Sequence, residues 1–398
     1  MRIFFLCQRV PYPPDRGDKI TTYHELTHLH RHHEVHVFCL ADGEEDLANV
    51  EGARRHAASV TAVLATPRGT RLRALRGLLT GEPLSVVGYR FGELQAAVDR
   101  SMRELRPDLV WVFSANMAQY VMHHSVPRVI QFADLDSLKW SQYAANAQGL
   151  MRWVYAREHR TLLAHERELA RASARSVVCT ENERRDFREQ IPGVPVDILA
   201  NGVDLDYFRP SGCDKVRGRL VFTGVMDYLP NVDAVVWFAH DVLPLVRHEV
   251  PHASFVVCGS RPSAEVQALA DLPGVTVTGR VPDVRPYVES ADVFVGCLRI
   301  ARGVQNKVLE ALALRVPCVT TRKVLAGTEV AEARGILAAD DAAGFAAHVV
   351  RLLQDDALRE EQSRLGREAV ERLYDWPAQF SVLDGVIAQA LQAPPAPR

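Results

Sequence analysis

No apolar run in this chain reaches the ~18–20 residues that a membrane-spanning helix needs. The first run, Ile3-Phe4-Phe5-Leu6, is followed at once by Cys7-Gln8-Arg9, too soon for a secretory leader. Any meeting with a membrane is therefore expected from the side. Paired cysteines are missing too: Cys7, Cys39, Cys179, Cys213, Cys258, Cys297 and Cys318 are scattered, with no C-x-x-C. Most sit in apolar, strand-like runs, where cysteine acts as a small buried hydrophobe. That points to a reducing compartment, the cytoplasm, and away from a disulfide framework or a zinc site. Charge of one sign is also lacking. A formal net charge of -2 gives no bulk field for nucleic acid, so any phosphate site must be local. No G-x-G-x-x-G follows an early strand and no G-x-x-x-x-G-K-[ST] occurs, which removes a nicotinamide dehydrogenase and a P-loop enzyme.

What is there is alternation. Short runs rich in Val, Ile and Phe are followed by longer stretches of helical periodicity, the pattern of repeated βαβ units with parallel sheets. In the first half these runs are 2–6, 34–40, 60–65, 109–113, 128–132 and 176–179. In the second they are 219–223, 254–258, 275–278, 292–296, 316–320 and 335–338. With 398 residues, 47% of them hydrophobic, two doubly wound Rossmann-like domains are expected. Breakers such as Phe208-Arg209-Pro210-Ser211-Gly212 place the hinge near 205–217. The domains are thus 1–205 and 206–377, with 378–398 returning to the first as a helix and tail. Trp376-Pro377 is expected to interrupt the terminal helices, because proline disfavours the helical region for the residue before it.

In open α/β sheets, ligands gather at the carboxyl ends of the strands. The richest loop follows the run 292–296 and leads through Arg299, Arg302 and Gly303 into Asn306-Lys307 and Glu310. A helix opening at Asn306 would present free N–H groups and a positive dipole end to a diphosphate. Lys307 adds a point charge. Glu310, one turn deeper on the same face, can accept two hydrogen bonds from a ribose diol. The alternative is an ordinary surface Lys–Glu pair.

The stretch Asn306-Lys307-Val308-Leu309-Glu310-Ala311-Leu312-Ala313-Leu314-Arg315-Val316-Pro317-Cys318-Val319 resembles the signature of the family-4 glycosyltransferases. Several further blocks resemble a subgroup of sugar transferases linked to bacterial exopolysaccharide biosynthesis. They are Pro11-Tyr-Pro-Pro-Asp-Arg-Gly-Asp-Lys19, Asp134-Leu-Asp-Ser-Leu-Lys-Trp140, Asn201-Gly-Val-Asp204, Thr223-Gly-Val-Met-Asp-Tyr-Leu-Pro-Asn-Val-Asp233 and Gly303-Val-Gln-Asn-Lys-Val-Leu-Glu-Ala311. The ordered set is specific where each block alone is weak. The resemblance implies the GT-B fold, with two Rossmann-like domains facing across a cleft and a C-terminal helix crossing back to the first. It also implies a metal-independent, retaining hexosyl transfer from a nucleotide-sugar, which is a substrate, so no cofactor is expected. The acceptor would be a glycan or a lipid-linked sugar. Two other readings fit the same fold: a nucleotide-sugar 2-epimerase, or an inactive nucleotide- or glycan-sensing partner of a polysaccharide assembly complex.

The resemblance also distributes roles. Gly17 would let the backbone approach the donor, with Lys19 or Arg16 near phosphate; the alternative is a βα loop whose Asp18 caps the next helix. Gly224, Asp227 and Arg261 would line the donor, with Asp227 as a helix cap for alternative. Arg302 stands where the family has a Glu and Arg315 where it has a Gly; by their charge, and not from the resemblance, Arg299 and Arg302 are expected to grip the diphosphate. Asp134 and Asp136 would face the acceptor hydroxyl.

Two other features need an account. In the segment 68–79, Arg68, Arg71, Arg73 and Arg76 interleave with Leu72, Leu75, Leu78 and Leu79, and no acid appears before Glu82. Such a segment suits the anionic inner face of the cytoplasmic membrane; the alternative is a partly buried helix with a solvated basic face. His28, His30, His32 and His33 crowd together, but only Glu25 and Glu34 are acidic at useful spacing, and no metal site is expected.

Overall fold

The computed structural model describes residues 1–301 and 303–393, and it divides into two units. Unit 1 comprises Met1–Leu199 with the segment from Phe380; unit 2 is Ala200–Gln379. The division falls before the expected hinge at 205–217. The cause is local: Val203 N–H donates to the Tyr374 carbonyl at 2.7 Å, and a Cβ on Gly202 would meet the Trp376 ring at 2.3 Å. Residues 200–204 are thereby tied to the second unit.

Unit 1 holds the strands β1 (Arg2–Cys7), β2 (Glu34–Ala41), β3 (Ser59–Leu64), β4 (Leu109–Phe113), β5 (Arg128–Ala133), β6 (Arg175–Val178) and β7 (Val196–Ile198). All pair in parallel, in the order β3-β2-β1-β4-β5-β6-β7. Alternate residues feed opposite faces. Phe4 and Leu6 join a core with Leu94, Val98 and Met102 of the helix Gly92–Leu105. Ile3, Phe5 and Cys7 join another with Leu26 and Leu29 of the helix Gly17–His32. Leu383, Val386, Ile387 and Ala390 of the terminal helix complete that second face. A parallel sheet buried on both sides requires such continuous apolar runs.

Unit 2 repeats the plan with β8 (Arg219–Thr223), β9 (Ser254–Cys258), β10 (Val275–Gly279), β11 (Val293–Gly296), β12 (Cys318–Thr320) and β13 (Ile336–Ala338). Their order is β10-β9-β8-β11-β12-β13, again parallel throughout. In both sheets the first strand sits beside the fourth, and the chain winds away from that pair in both directions. The loops after those two strands diverge and leave a crevice at the carboxyl edge.

The strand runs of the sequence recur, with shifts of one or two residues at fewer than half of their ends. β7 is new, and it lies directly after Pro195. The terminal helices Asp356–Leu373 and Trp376–Gln392 stop and start around Pro377 as expected, but Trp376 opens the second helix instead of preceding it. Proline is tolerated there because first-turn N–H groups have no intrahelical partner. All seven cysteines are free thiols. None of the described helices is long and apolar enough to cross a membrane.

Candidate functional site

In unit 2 the crevice lies between the loops that follow β8 and β11. Gly224 ends the first strand, and its N–H donates to the Cys258 carbonyl at 3.1 Å. A Cβ on Gly224 would meet Asn231 Nδ2 at 2.7 Å and Lys307 Nζ at 3.0 Å. A Cβ on Gly259 would fall 1.7 Å from the Gly224 carbonyl oxygen. The loops after β8 and β9 thus touch backbone to backbone at Gly259, where a side chain does not fit, whereas a Cβ on Gly224 would displace the side-chain ends of Asn231 and Lys307.

Lys307 reaches this point from the first turn of the helix Asn306–Ala313. Its Nζ donates to Asn231 Oδ1 at 2.7 Å and lies 4.3 Å above the Phe222 ring. Asn231 is buried and is oriented by its own donation to the Val225 carbonyl at 2.9 Å. Burial pulls the Lys307 ammonium down to about 8 against the opposing pull of Cys297 and Glu310. Burial also pushes Glu310 up to about 7, opposed by Lys307. Among the described residues Glu310 accepts no hydrogen bond. The helix has no side-chain cap at Gln305, and Asn306 takes a bond from Asn201 at 3.0 Å while its own Nδ2 is buried without a partner. Among the described residues the site therefore holds a cation, a carboxylate and a helix N-terminus without a side-chain cap, whose Val308 N–H bonds only back to the Gln305 carbonyl at 2.9 Å.

Other predicted donor residues are placed differently. Arg299 Nε and Nη2 are held by Asp233, with Nε 3.0 Å from its carboxylate, and the guanidinium lies 5.6 Å from the Trp237 ring centroid. Asp227 does not cap the next helix, which starts at Leu229 with no side-chain cap; it pairs instead with Arg261 at 3.1 Å, both side chains being exposed. Gly303 adopts φ 59°, which favours glycine, and its carbonyl would meet a Cβ on Gly327 at 2.3 Å. Arg302 lies outside the described residues.

In unit 1, Lys19 forms an ion pair. Its Nζ is buried against Asp46 at 2.5 Å, a partner too distant in sequence to be read from the loop. Asp18 does not cap the helix that Gly17 opens; Arg16 is the N-cap, without a side-chain bond, and Asp18 is paired to Arg9. Arg9 also bonds Asp42, at 2.6 Å. Asp134 and Asp136 follow β5, where Ala133 turns the chain with φ 61°. Asp136 opens the helix Asp136–Asn146. Beneath them lies Glu166, fully buried, which accepts the Ser137 N–H at 3.2 Å and the Ser137 hydroxyl. Burial pushes this carboxyl up to about 8, with the Asp136 and Asp134 charges adding to the rise. His159 Nδ1 lies 2.8 Å from the Ser137 carbonyl.

Sequence reasoning missed Asn231 and Glu166. Asn231 stood inside the quoted block from Thr223 to Asp233, so the signal was available; Glu166 sits in a long charged helix where no pattern marks it.

The segment 68–79 forms two helices, Pro67–Ala74 and Arg76–Thr80. The leucines are exposed, Leu72 by 68%, Leu75 56%, Leu78 42% and Leu79 91%, while Gly77 is buried and Arg73 lies over the Phe91 ring, so the segment is partly covered but not through its leucines. Leu150, Met151 and Trp153 are exposed as well, in the first turns of the helix Gly149–Arg171. One turn further, Arg157 Nη2 donates to the Gly77 carbonyl at 2.5 Å, so the two segments adjoin.

Residues 17–207 match the family model described as Glycosyltransferase Family 4, and residues 217–355 match Glycosyl transferases group 1. No curated protein matches the chain in sequence. Among solved structures, a sucrose-phosphate synthase from Thermosynechococcus elongatus is similar over 98% of this chain and 99% of its own, with TM-score 0.75 and 15% identity. Anabaena Alr3699/HepE in complex with UDP-glucose is similar over 98% and 99%, with TM-score 0.69 and 13% identity. WaaG, a glycosyltransferase involved in lipopolysaccharide biosynthesis, is similar over 96% and 99%, with TM-score 0.65 and 17% identity. At these identities the likenesses establish a shared fold.

Proposed function

Because the chain belongs to the family-4 glycosyltransferases of the GT-B fold, we propose that it transfers a hexose from a nucleotide-sugar in unit 2 to a hydroxyl presented by unit 1. The observation that carries this reading is the half-solvated set of Lys307, Glu310 and uncapped amides beside Gly224. Lys307 and the first-turn amides stabilise the departing nucleoside diphosphate, where charge develops. Glu310 accepts both ribose hydroxyls, and the glycine pair leaves the diphosphate room beside Asn231. Asp134 and Asp136 orient the acceptor hydroxyl. In a retaining transfer the departing phosphate oxygen takes the acceptor proton, so neither Asp need act as a base and no metal takes part. The UDP and UDP-glucose complexes of HepE support a uridine diphosphate donor.

Titrating UDP, GDP, ADP and TDP calorimetrically into the wild type and Glu310→Ala tests the donor site. One nucleotide should bind selectively and at least tenfold more weakly in the variant, since a buried diol loses both acceptors. Equal binding by both proteins removes the ribose assignment.

The finer reading is cytoplasmic exopolysaccharide synthesis on a lipid-linked acceptor, with unit 1 against the inner membrane face. The exposed leucines beside Arg68, Arg71, Arg73 and Arg76 support it, because apolar and cationic side chains without acids match an anionic bilayer. Vesicles containing phosphatidylglycerol should co-sediment the protein. Changing Leu78 and Leu79 to Ser should weaken that several-fold, and changing the four arginines to Gln should abolish it. Unchanged sedimentation of both variants sinks the membrane contact and leaves the transferase reading intact.

A further inference from the structure

Asp99, His123 and His124 converge far from the loops described above. Asp99 lies on the helix Gly92–Leu105, and the histidines lie in the turn that leads into β5, at the opposite end of that strand from Asp134. His123 Nε2 is 3.0 Å and His124 Nε2 2.9 Å from the same atom, Asp99 Oδ1. Gln95 donates to that oxygen as well, at 2.9 Å. The ligand atoms all lie within 4.8 Å of one another, and the two imidazole rings are 4.1 Å apart.

As a purely protonic arrangement this is crowded. A carboxylate oxygen offers about two lone pairs, yet three donors aim at one. Both imidazoles must also carry their proton on Nε2. A divalent ion replaces the two imidazole protons with bonds of ~2.0–2.1 Å, which in tetrahedral geometry spaces ligand atoms ~3.3 Å apart. The two Asp99–histidine separations, 3.0 and 2.9 Å, need only a few tenths of an ångström of adjustment.

The surroundings hold the ligands in place. Arg128, buried at the start of β5, donates to the Val121 carbonyl at 3.0 Å and the His124 carbonyl at 2.7 Å, which fixes the turn at both ends. Gln95 fixes the carboxylate while donating to the Tyr120 carbonyl at 3.0 Å. Such outer bonds orient metal ligands and are part of a working site. His123 is exposed, so water can complete the coordination.

We propose that Asp99, His123 and His124 form a divalent-metal site of the zinc type that clips the helix Gly92–Leu105 to the turn before β5. Two imidazoles and one carboxylate suit Zn2+, and Co2+ or Ni2+ in its place. The clip is structural. It stands independently of the transfer reaction, and the expectation of a metal-free transfer is untouched by it.

Untagged protein, stripped with a chelator, would be titrated with Zn2+ and with Co2+. The expected result is one equivalent of Zn2+ at micromolar affinity or better, a visible Co2+ absorption band, and a higher melting midpoint. Asp99→Asn and His124→Gln should lose all three while melting normally without metal. His28→Ala, which thins the other histidine cluster, should keep all three. Equal uptake by the Asp99 and His124 variants, loss in His28→Ala instead, or no uptake by the wild type overturns the proposal.

Discussion

Lys307 and Glu310 sit on one helix face with opposed shifts, the ammonium pulled down to about 8 and the carboxyl pushed up to about 7. Both shifts come first from burial, so both charges cost folding free energy. For Glu310, the folded state binds the extra proton as pH rises from its ordinary value to about 7, so stability falls across that range. For Lys307, the unfolded state binds the extra proton from about 8 up to the ordinary lysine value, so stability rises there. The pair is least favourable to folding between about 7 and 8, where both are charged, and that is where a diphosphate and a ribose should bind best. Affinity for an intact nucleotide-sugar, whose diester phosphates do not titrate in this range, should peak there. It should weaken by up to tenfold per pH unit on each side. Glu310→Gln should remove the acid limb and Lys307→Met the alkaline limb; calorimetry across pH 6–9 would read both. A flat profile in the wild type sinks the assignment. At the same scale, Gly259→Ala drives a methyl into the Gly224 carbonyl. It should cost about 1–3 kcal/mol in a denaturant melt, with nucleotide binding lost alongside.

At the scale of elements, the helices Pro67–Ala74 and Arg76–Thr80 leave their leucines uncovered, so replacing Leu78 and Leu79 by Ser should change stability by no more than about 0.5 kcal/mol. A large loss in urea would mean that these side chains are part of the core after all. This segment also shows where sequence runs out. Its periodicity foretold helix but not which face is covered, because coverage depends on elements far away along the chain. The strands were readable because a parallel sheet buried on both faces demands unbroken apolar runs, and β1 through Phe4, Phe5 and Leu6 is such a run. β7 was not, because three residues directly after Pro195 carry no period. In the donor half, Lys307 and Glu310 announced themselves by helical spacing. The ion partners of Lys19 and Arg299 were not legible, because Asp46 and Asp233 lie on other elements.

At the scale of the molecule, each unit has a sheet and cores of its own. A nucleotide should slow hydrogen exchange in unit 2, around residues 224–231 and 303–310, and leave the Asp99–His124 region unchanged. Zinc should do the reverse. Exchange measured with each ligand alone distinguishes them, and protection by nucleotide confined to unit 1 would place the donor on the wrong half. Much of the two-unit plan could be read from the alternation of runs, but its seam could not, since the Val203–Tyr374 bond that moves the seam joins residues far apart in sequence.

The last helix adds a constraint on biosynthesis. Leu383, Val386, Ile387 and Ala390 pack with Ile3, Phe5, Leu26 and Leu29, and Asp384 bonds His28 at 3.0 Å. On the ribosome, unit 1 emerges first yet cannot finish its own core until almost the entire chain has been translated. Unit 2 is contiguous and can fold earlier, although it is made later. For most of translation the apolar grooves of the first-made unit stand open, and they are natural clients for a chaperone. A nonsense mutation just before Leu383 would damage the half of the protein that was synthesised first.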